Sequence, residues 1–141
     1  MRLVLATPAL AALAFVGLVT ASCALTPKVS PQLAIPGGAP TAVPGTDVTL
    51  LLTEVEDQRC PAGVDCVWAG MIRVELTVST PTSKQEIILC NQCDNARDLA
   101  TAGGLTIGLV GLAPSTEELA KLGREPVLDD YELTVNYAPA E

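Results

Sequence analysis

Alternation of apolar and polar residues with a period of two is the feature that most limits the folds open to this chain. In one segment, the apolar residues Ile72, Val74, Leu76 and Val78 alternate with four polar residues. A strand with one buried face produces this pattern, because successive side chains point to opposite faces. Two further segments show the same alternation: 48–53 and 131–137. The pattern therefore predicts an antiparallel β domain.

Turn-forming residues and shorter apolar runs extend this prediction. Residues 81–84 form a predicted turn, after which the chain returns as a strand over residues 85–90. Another strand is predicted over residues 105–112, where Gly108 indicates a bulge or a close approach of backbone. A short helix is predicted to begin at Ser115 with a capping box and to end at Gly123.

No internal repeat and no second core are visible in the sequence. The strands predict a small antiparallel β-sandwich or partly open barrel of about six strands, which we assign to residues 47–141. A domain of this size gains from covalent crosslinks, because it buries only about two-thirds of the surface of its unfolded chain.

Residues 1–22 have the composition of a secretory signal peptide. Arg2 supplies a positive charge, and residues 3–20 contain no charged residue. The apolar run reaches the length of a transmembrane helix. Pro8 and the small residues that end the run favour a cleaved signal instead.

Cys23 follows the small residues Ala21 and Ser22 and resembles the lipid-accepting cysteine of a bacterial lipobox, although Thr20 stands where leucine is usual. We therefore predict a diacylglycerol on Cys23 that anchors the chain on the extracytoplasmic side of a membrane in the bacterial cell envelope. Cleavage after Ala24 by the general signal peptidase, and an uncleaved anchor, are the two alternatives.

Residues 23–46 are predicted to form a lipid-anchored tether. Frequent proline prevents a helix and removes donors from a sheet. As extended polyproline II, residues 24–46 would reach roughly 70 Å. A disordered terminus without a spacing role is the alternative. The prolines are Pro27, Pro31, Pro36, Pro40 and Pro44.

Four cysteines remain in the predicted domain, an even number in an exported chain, which predicts disulfide bonds. They are Cys60, Cys66, Cys90 and Cys93. Of the three pairings, we favour the local pairs 60–66 and 90–93, because residues 61–65 can turn tightly. Crossed pairs remain open at this point.

Composition excludes several kinds of chemistry. The chain contains no histidine, which excludes Ser-His-Asp and Cys-His catalysis and histidine-ligated metal sites. Its formal net charge of −8 gives no electrostatic basis for binding nucleic acid. We assign no catalytic residue, cofactor or metal. The acidic residues between Glu54 and Asp65 lack a calcium-loop pattern, and the spacing of the four cysteines disfavours zinc.

Cys90-Asn91-Gln92-Cys93 is a CxxC sequence and carries the main alternative function, thiol–disulfide exchange. Redox motifs of this type place the first cysteine at a helix N-terminus, and no convincing helical pattern follows Cys93. Asp94 and Asp98 would raise the thiol pKa. A structural disulfide is therefore favoured.

The segment from Arg59 to Gly70 contains the motif R-C-P-x(4)-C-x-W-x-G. It resembles the motif of uncharacterised bacterial secreted proteins and lipoproteins. The resemblance implies an extracytoplasmic location and a β fold and no particular chemistry. If a strand began at Cys66, Trp68 would share a face with Ile72 and would pack in the core against a disulfide.

The sequence thus predicts a non-enzymatic cell-envelope lipoprotein whose disulfide-stabilised β domain binds a partner or has a structural role. The predicted contacts are the membrane, through the lipid on Cys23, and a protein partner. Presentation of the 60–66 loop to a protease is one form that such binding could take.

Overall fold

The computed structural model of the protein describes residues 30–94 and 97–141. The predicted signal peptide at residues 1–22 and the lipid site at Cys23 lie outside the described residues. Within the described part of the chain, no helix has the length and apolar character needed to cross a bilayer.

Within residues 30–94 and 97–141, eight strands form two antiparallel sheets of four strands each, so the predicted all-β sandwich is confirmed, with more strands than the six expected. Sheet 1 has the order β1-β8-β7-β6 and sheet 2 the order β2-β3-β4-β5. The strands are β1 (Gln32–Pro36), β2 (Pro40–Ala42), β3 (Thr49–Gln58), β4 (Met71–Ser79), β5 (Lys84–Asn91), β6 (Leu99–Ala102), β7 (Leu105–Ala113) and β8 (Glu132–Pro139).

The core lies between the two sheets and consists of the apolar residues that the alternation predicted to point inward. Leu50, Leu76 and Leu133 are fully buried there. Burial of each such side chain stabilises the fold by roughly 1.5–3 kcal/mol before entropy is counted. The core is almost entirely aliphatic; among the aromatic residues in the part of the chain that the structure describes, only Tyr131 is buried.

The N-terminal boundary of the domain was predicted wrongly. Residues 32–42, assigned to the tether, form β1 and β2, and Ile35 is fully buried in the core. Both strands are sheet edges, and their prolines lie at strand ends, namely Pro36 in β1 and Pro40 in β2. An edge strand needs hydrogen-bond donors on one side only, which is why proline is tolerated there.

The other local predictions are mostly confirmed. Gly108 lies so close to the Asn136 side chain that a Cβ atom would clash, and a bulge follows between Leu109 and Gly111. The strand β6 was missed, because four residues are too few to show a period. It joins β7 through a two-residue turn at Gly103-Gly104, both with positive φ, as hairpin turns require.

The predicted capping box is present at helix α1 (Thr116–Ala120). The Ser115 amide donates to Glu118 Oε2 at 2.8 Å, and the Glu118 amide donates to Ser115 Oγ at 3.3 Å. A single 3₁₀ turn over Leu128–Asp130 then leads into β8.

The strands of the sandwich run between two ends, which we call the entry end and the loop end. At the entry end, where the described chain begins, the carbonyl of Pro31 accepts a hydrogen bond from the Tyr137 amide at 3.1 Å. At the loop end, residues 59–70 connect β3 to β4, and Arg59 contacts Leu112, which pairs with Leu133. The two ends are separated by about 13 Å along β8, the distance from Leu133 to Tyr137, since a strand rises about 3.3 Å per residue.

Candidate functional site

The connection between β3 and β4 at the loop end is closed by a disulfide bond. Cys60 and Cys66 are bonded, with their Cα atoms 5.9 Å apart, as the favoured local pairing predicted. Inside the bridge, the Val64 amide donates to the carbonyl of Pro61 at 3.2 Å. The segment therefore forms a short covalently closed turn, which we call the Cys60–Cys66 loop.

Arg59 fixes the base of this loop. Its Nε and Nη2 atoms donate to the two carboxylate oxygens of Asp57 at 2.8 and 2.7 Å. The same guanidinium donates to the carbonyls of Leu112 and Pro114 at 2.9 and 2.8 Å. Side-chain exposure is only 18% for Arg59 and 8% for Asp57. The loop of sheet 2 is thus tied to the end of β7 in sheet 1.

Asp57 and Arg59 each stabilise the charged form of the other. Burial alone would raise the pKa of Asp57, but the side-chain and backbone hydrogen bonds from Arg59, its charge and the Tyr131 hydroxyl together leave that pKa lowered. The pKa of Arg59 is raised, chiefly by the same side-chain hydrogen bond. Burial and the Asp57 charge raise the pKa of Tyr131. Both members of the pair are therefore ionised at neutral pH and act structurally.

Gly70 closes the other side of the loop. A Cβ atom at this position would overlap the Cα of Arg59 and the carbonyl of Gln58. Only glycine allows the two backbone segments to approach this closely. The glycine that ends the sequence motif therefore has a steric role.

The top of the loop presents large apolar side chains to solvent. Trp68 is 82% exposed and Val67 is 90% exposed, and Val64 at 54% lies within the disulfide bridge. We call these three residues the Trp68 surface. Beneath it, a cavity of about 280 Å³ is lined by Gln58, the two loop cysteines, Trp68 and Met71, among others.

The prediction that Trp68 is buried in the core was wrong. β4 begins at Met71, so Cys66 and Trp68 precede the strand and do not share its inward face. The last residue pair between β3 and β4 is Gln58 with Met71, so the strand pairing stops before Trp68 is reached. Pro61, Gly63 and Gly70 were the available signals that this segment is a loop.

The second disulfide bond joins Cys90 near the end of β5 to Cys93, again as the favoured pairing predicted, with Cα atoms 6.0 Å apart. Cys90 is only 4% exposed, and its amide donates to the carbonyl of Arg97 at 2.9 Å. Cys93 Sγ lies 3.2 Å from the thioether sulfur of Met71.

A cavity of about 340 Å³ beside this bond is lined by two cationic residues, Arg73 and Arg97, together with Asp94 and Ile88. The sequence analysis considered only the acidic residues near the two cysteines, Asp94 and Asp98, and missed Arg73 and Arg97. Arg73 could have been found from the hairpin register, which places it opposite Cys90.

The acidic residues near the first loop do not gather into one site. Asp57 forms an ion pair with Arg59. The carboxylate oxygens of Glu54 and Glu56 lie 3.9 and 3.8 Å from Arg73 Nη1. Asp65 is exposed on the loop. Across residues 30–94 and 97–141, no three histidine, cysteine or acidic residues are grouped as metal ligands.

Comparison of the chain with models of protein families, with curated proteins and with solved structures finds no match. In the described part of the chain we take two candidate sites from the geometry: the Trp68 surface, and the Cys90–Cys93 bond with the residues that line its cavity.

Proposed function

We propose that this protein is a non-enzymatic lipoprotein of the bacterial cell envelope that binds a protein partner through the Trp68 surface. The lipid on Cys23 holds the domain at a membrane, and the Cys60–Cys66 loop presents the binding residues. The observation that supports this proposal is the exposure of Trp68, the only tryptophan of the chain, on a covalently closed loop.

Tryptophan contributes strongly to protein interfaces because it offers a large apolar area and an N–H donor. The core of this domain is filled by aliphatic residues without it. Val67 precedes Trp68 in the sequence and is 90% exposed, so this part of the loop presents two apolar side chains to solvent. Burial of such a surface by a partner is favourable, at about 25 cal/mol per Å² of apolar area.

The structure around the loop also reduces the cost of binding. The disulfide bond, the four hydrogen bonds of the Arg59 guanidinium and the tight packing of Gly70 restrict the loop before a partner arrives. A preorganised surface loses less conformational entropy on association.

The position of the Trp68 surface indicates which partner it meets. The described chain begins at the entry end, and the surface lies at the loop end. Seven residue steps lead from Cys23 to Ser30, and they can span at most about 25 Å. A lipid on Cys23 would therefore hold the entry end near the membrane, with the Trp68 surface directed away from it. We accordingly propose a protein partner rather than the anchoring bilayer.

A capture experiment with matched variants tests this proposal. The wild-type protein and its Trp68→Ala and Val110→Ala variants would each be immobilised and exposed to solubilised envelope proteins. Val110 is a suitable control because it is also apolar and 46% exposed but lies in β7. A protein retained by the wild type and by Val110→Ala, but lost from Trp68→Ala, would support the proposal. Identical retention by all three would overturn it.

Binding can then be measured without a label, because Trp68 is the only tryptophan in the chain. With a tryptophan-free version of the captured partner, the emission of Trp68 should shift to shorter wavelength as the indole leaves water. An unchanged emission spectrum at saturating partner would place the contact elsewhere.

Lipidation of Cys23 is tested separately. Mass spectrometry of the mature protein should show a chain that begins at Cys23 and carries diacylglycerol, and Cys23→Ser should release the domain from the membrane fraction. A soluble mature chain that begins at Leu25 would instead support general signal peptidase cleavage.

Thiol–disulfide exchange at Cys90–Cys93 stays a prediction. Arg73 and Arg97 would stabilise a thiolate, while the burial of Cys90 restricts attack by another thiol. Alkylation and peptide mapping after equilibration in glutathione buffer test it, because a catalytic pair exchanges readily while Cys60–Cys66 remains bonded.

A further inference from the structure

Three sulfur atoms converge at the loop end of sheet 2. Met71 is the first residue of β4, and the pairing of Ile72 with Asn91 brings it beside the CxxC turn that follows β5. Met71 Sδ and Cys93 Sγ are 3.2 Å apart, and Cys93 is bonded to Cys90. Met71 thus adds a thioether to the two cysteine sulfurs.

We propose that reduction of the Cys90–Cys93 bond converts this cluster into a binding site for a soft monovalent cation, Cu(I). Thiolate and thioether sulfur are the ligands that Cu(I) prefers. Sulfur atoms bound to one metal at about 2.3 Å in a trigonal set lie roughly 4 Å apart. Met71 Sδ and Cys93 Sγ are already 3.2 Å apart, and the two cysteine sulfurs must separate by about 2 Å once their bond is reduced. A structural zinc site would need four ligands, commonly cysteine or histidine.

The surroundings suit such a complex. Two thiolates and one Cu(I) carry a net charge of −1, and the cationic residues Arg73 and Arg97 line the adjoining cavity. Asp94 lines the same cavity, and Glu54 and Glu56 lie 3.9 and 3.8 Å from Arg73, so these three carboxylates offset part of the positive charge. Ile88 adds an apolar wall, and Cys90 is 4% exposed, so water has limited access to the bound metal. The cavity provides the path of entry.

The redox step requires a dithiol reductant. A dithiol gives two electrons and two protons to the Cys90–Cys93 bond and leaves as its own disulfide, which yields two cysteine thiols. When Cu(I) binds, each thiol releases its proton to solvent and forms a sulfur–metal bond. Copper is not oxidised or reduced in this sequence. Binding is therefore conditional on reduction.

This site uses none of the three residues of the Trp68 surface, so the proposal stands or falls independently of the proposed function. The two can be tested on the same mature chain, because partner capture uses the oxidised protein and metal binding the reduced protein.

The experiment is an anaerobic competition titration. The mature chain would be reduced with dithiothreitol, freed of excess reductant, and titrated with Cu(I) against a chromophoric Cu(I) chelator. We expect Cys90 and Cys93 to bind one Cu(I) more tightly than the Cys60 and Cys66 thiols, which dithiothreitol also exposes. The affinity of this tighter site should be roughly tenfold or more lower in Met71→Leu, which removes the thioether at similar volume. Cys93→Ser should abolish tight binding, and circular dichroism would verify that each variant is folded.

The double variant Cys60→Ser/Cys66→Ser is the matched control, because it removes the other cysteine pair and leaves the three sulfurs. It should retain Cu(I) with nearly unchanged affinity. Equal affinity of Met71→Leu and wild type, or loss of binding in this control, would overturn the proposal. It would also be overturned if Cys90–Cys93 stayed oxidised in dithiothreitol while the domain remained folded.

Discussion

At the residue scale, the Arg59–Asp57 pair does most to hold the loop end together. Arg59 makes four side-chain hydrogen bonds that reach both sheets, and neither partner has much contact with water. A pair of this kind is costly to break, because the remaining charge loses its partner while still buried. The sequence placed Arg59 in a motif but did not indicate its partners.

Asp57→Asn should therefore destabilise the domain by about 2 kcal/mol at pH 7, the usual cost of losing hydrogen bonds to a charged group. The folded-state pKa of Asp57 is lowered from its ordinary value of 3.8. The contribution of Asp57 to the free energy of unfolding is thus complete above about pH 5. It is lost as the pH falls through 3.8 and then through the lower folded-state pKa.

Urea unfolding of wild type and Asp57→Asn at neutral and acidic pH measures this dependence. The difference between the two proteins should shrink as the pH is lowered. Asp47→Asn, at an exposed position, serves as the control and should change little. A difference that stayed constant with pH would show that the Asp57 charge is not the cause.

Gly70 gives a second prediction at this scale. Gly70→Ala forces a Cβ atom against the backbone of Arg59 and Gln58 and should destabilise the domain by about 1–3 kcal/mol, as overpacking does. Gly111→Ala is the control, since a Cβ there has no heavy atom within 4 Å. Equal unfolding midpoints for the two variants would contradict the close contact.

At the scale of elements, the long amphipathic strands could be predicted from sequence and the edge strands could not. β4 and β8 show many periods of alternation, so burial of one face is visible in the sequence. β1, β2 and β6 have three to five residues each, too few for a period to show. Pro36 and Pro40 also argued against strands in this segment. That they lie at the ends of edge strands, where proline is tolerated, is known only once the sheet order is known.

Ile35→Ala tests the corrected boundary. Ile35 is fully buried although the sequence assigned it to a tether. Its truncation should cost about 2–5 kcal/mol in the free energy of unfolding, the range for large aliphatic core residues. Gln32→Ala in the same strand, at an exposed position, should be nearly neutral. If Ile35→Ala were also neutral, β1 would not belong to the folded domain.

The candidate sites were predictable only in part. The cysteine count and spacing predicted both local bonds. The position of Trp68 depended on where β4 begins, which strand periodicity cannot locate to within a few residues. Met71 joins the second cysteine pair only through the register of the β4–β5 hairpin, a relation that the sequence pattern does not specify.

At the scale of the whole molecule, the sandwich separates the point of chain entry from the Cys60–Cys66 loop. The disulfide bond closes seven residues, for which chain entropy predicts a stabilisation of about 2 kcal/mol. The core lies between the sheets and does not include Cys60 or Cys66, so Cys60→Ser/Cys66→Ser should leave the fold intact. The loss of partner affinity in this variant should be larger than the loss in the free energy of unfolding. Calorimetry and binding measured on the same variant separate these effects.

Photo-crosslinking in intact cells tests the central claim most directly. A photoreactive residue would replace Val67 on the Trp68 surface in one full-length chain and Thr46 at the exposed entry end in another. We expect adducts with a discrete protein from position 67 and none with that protein from position 46. Lipid adducts from position 67, or no protein adduct there, would contradict a Trp68 surface that faces a protein partner away from the membrane.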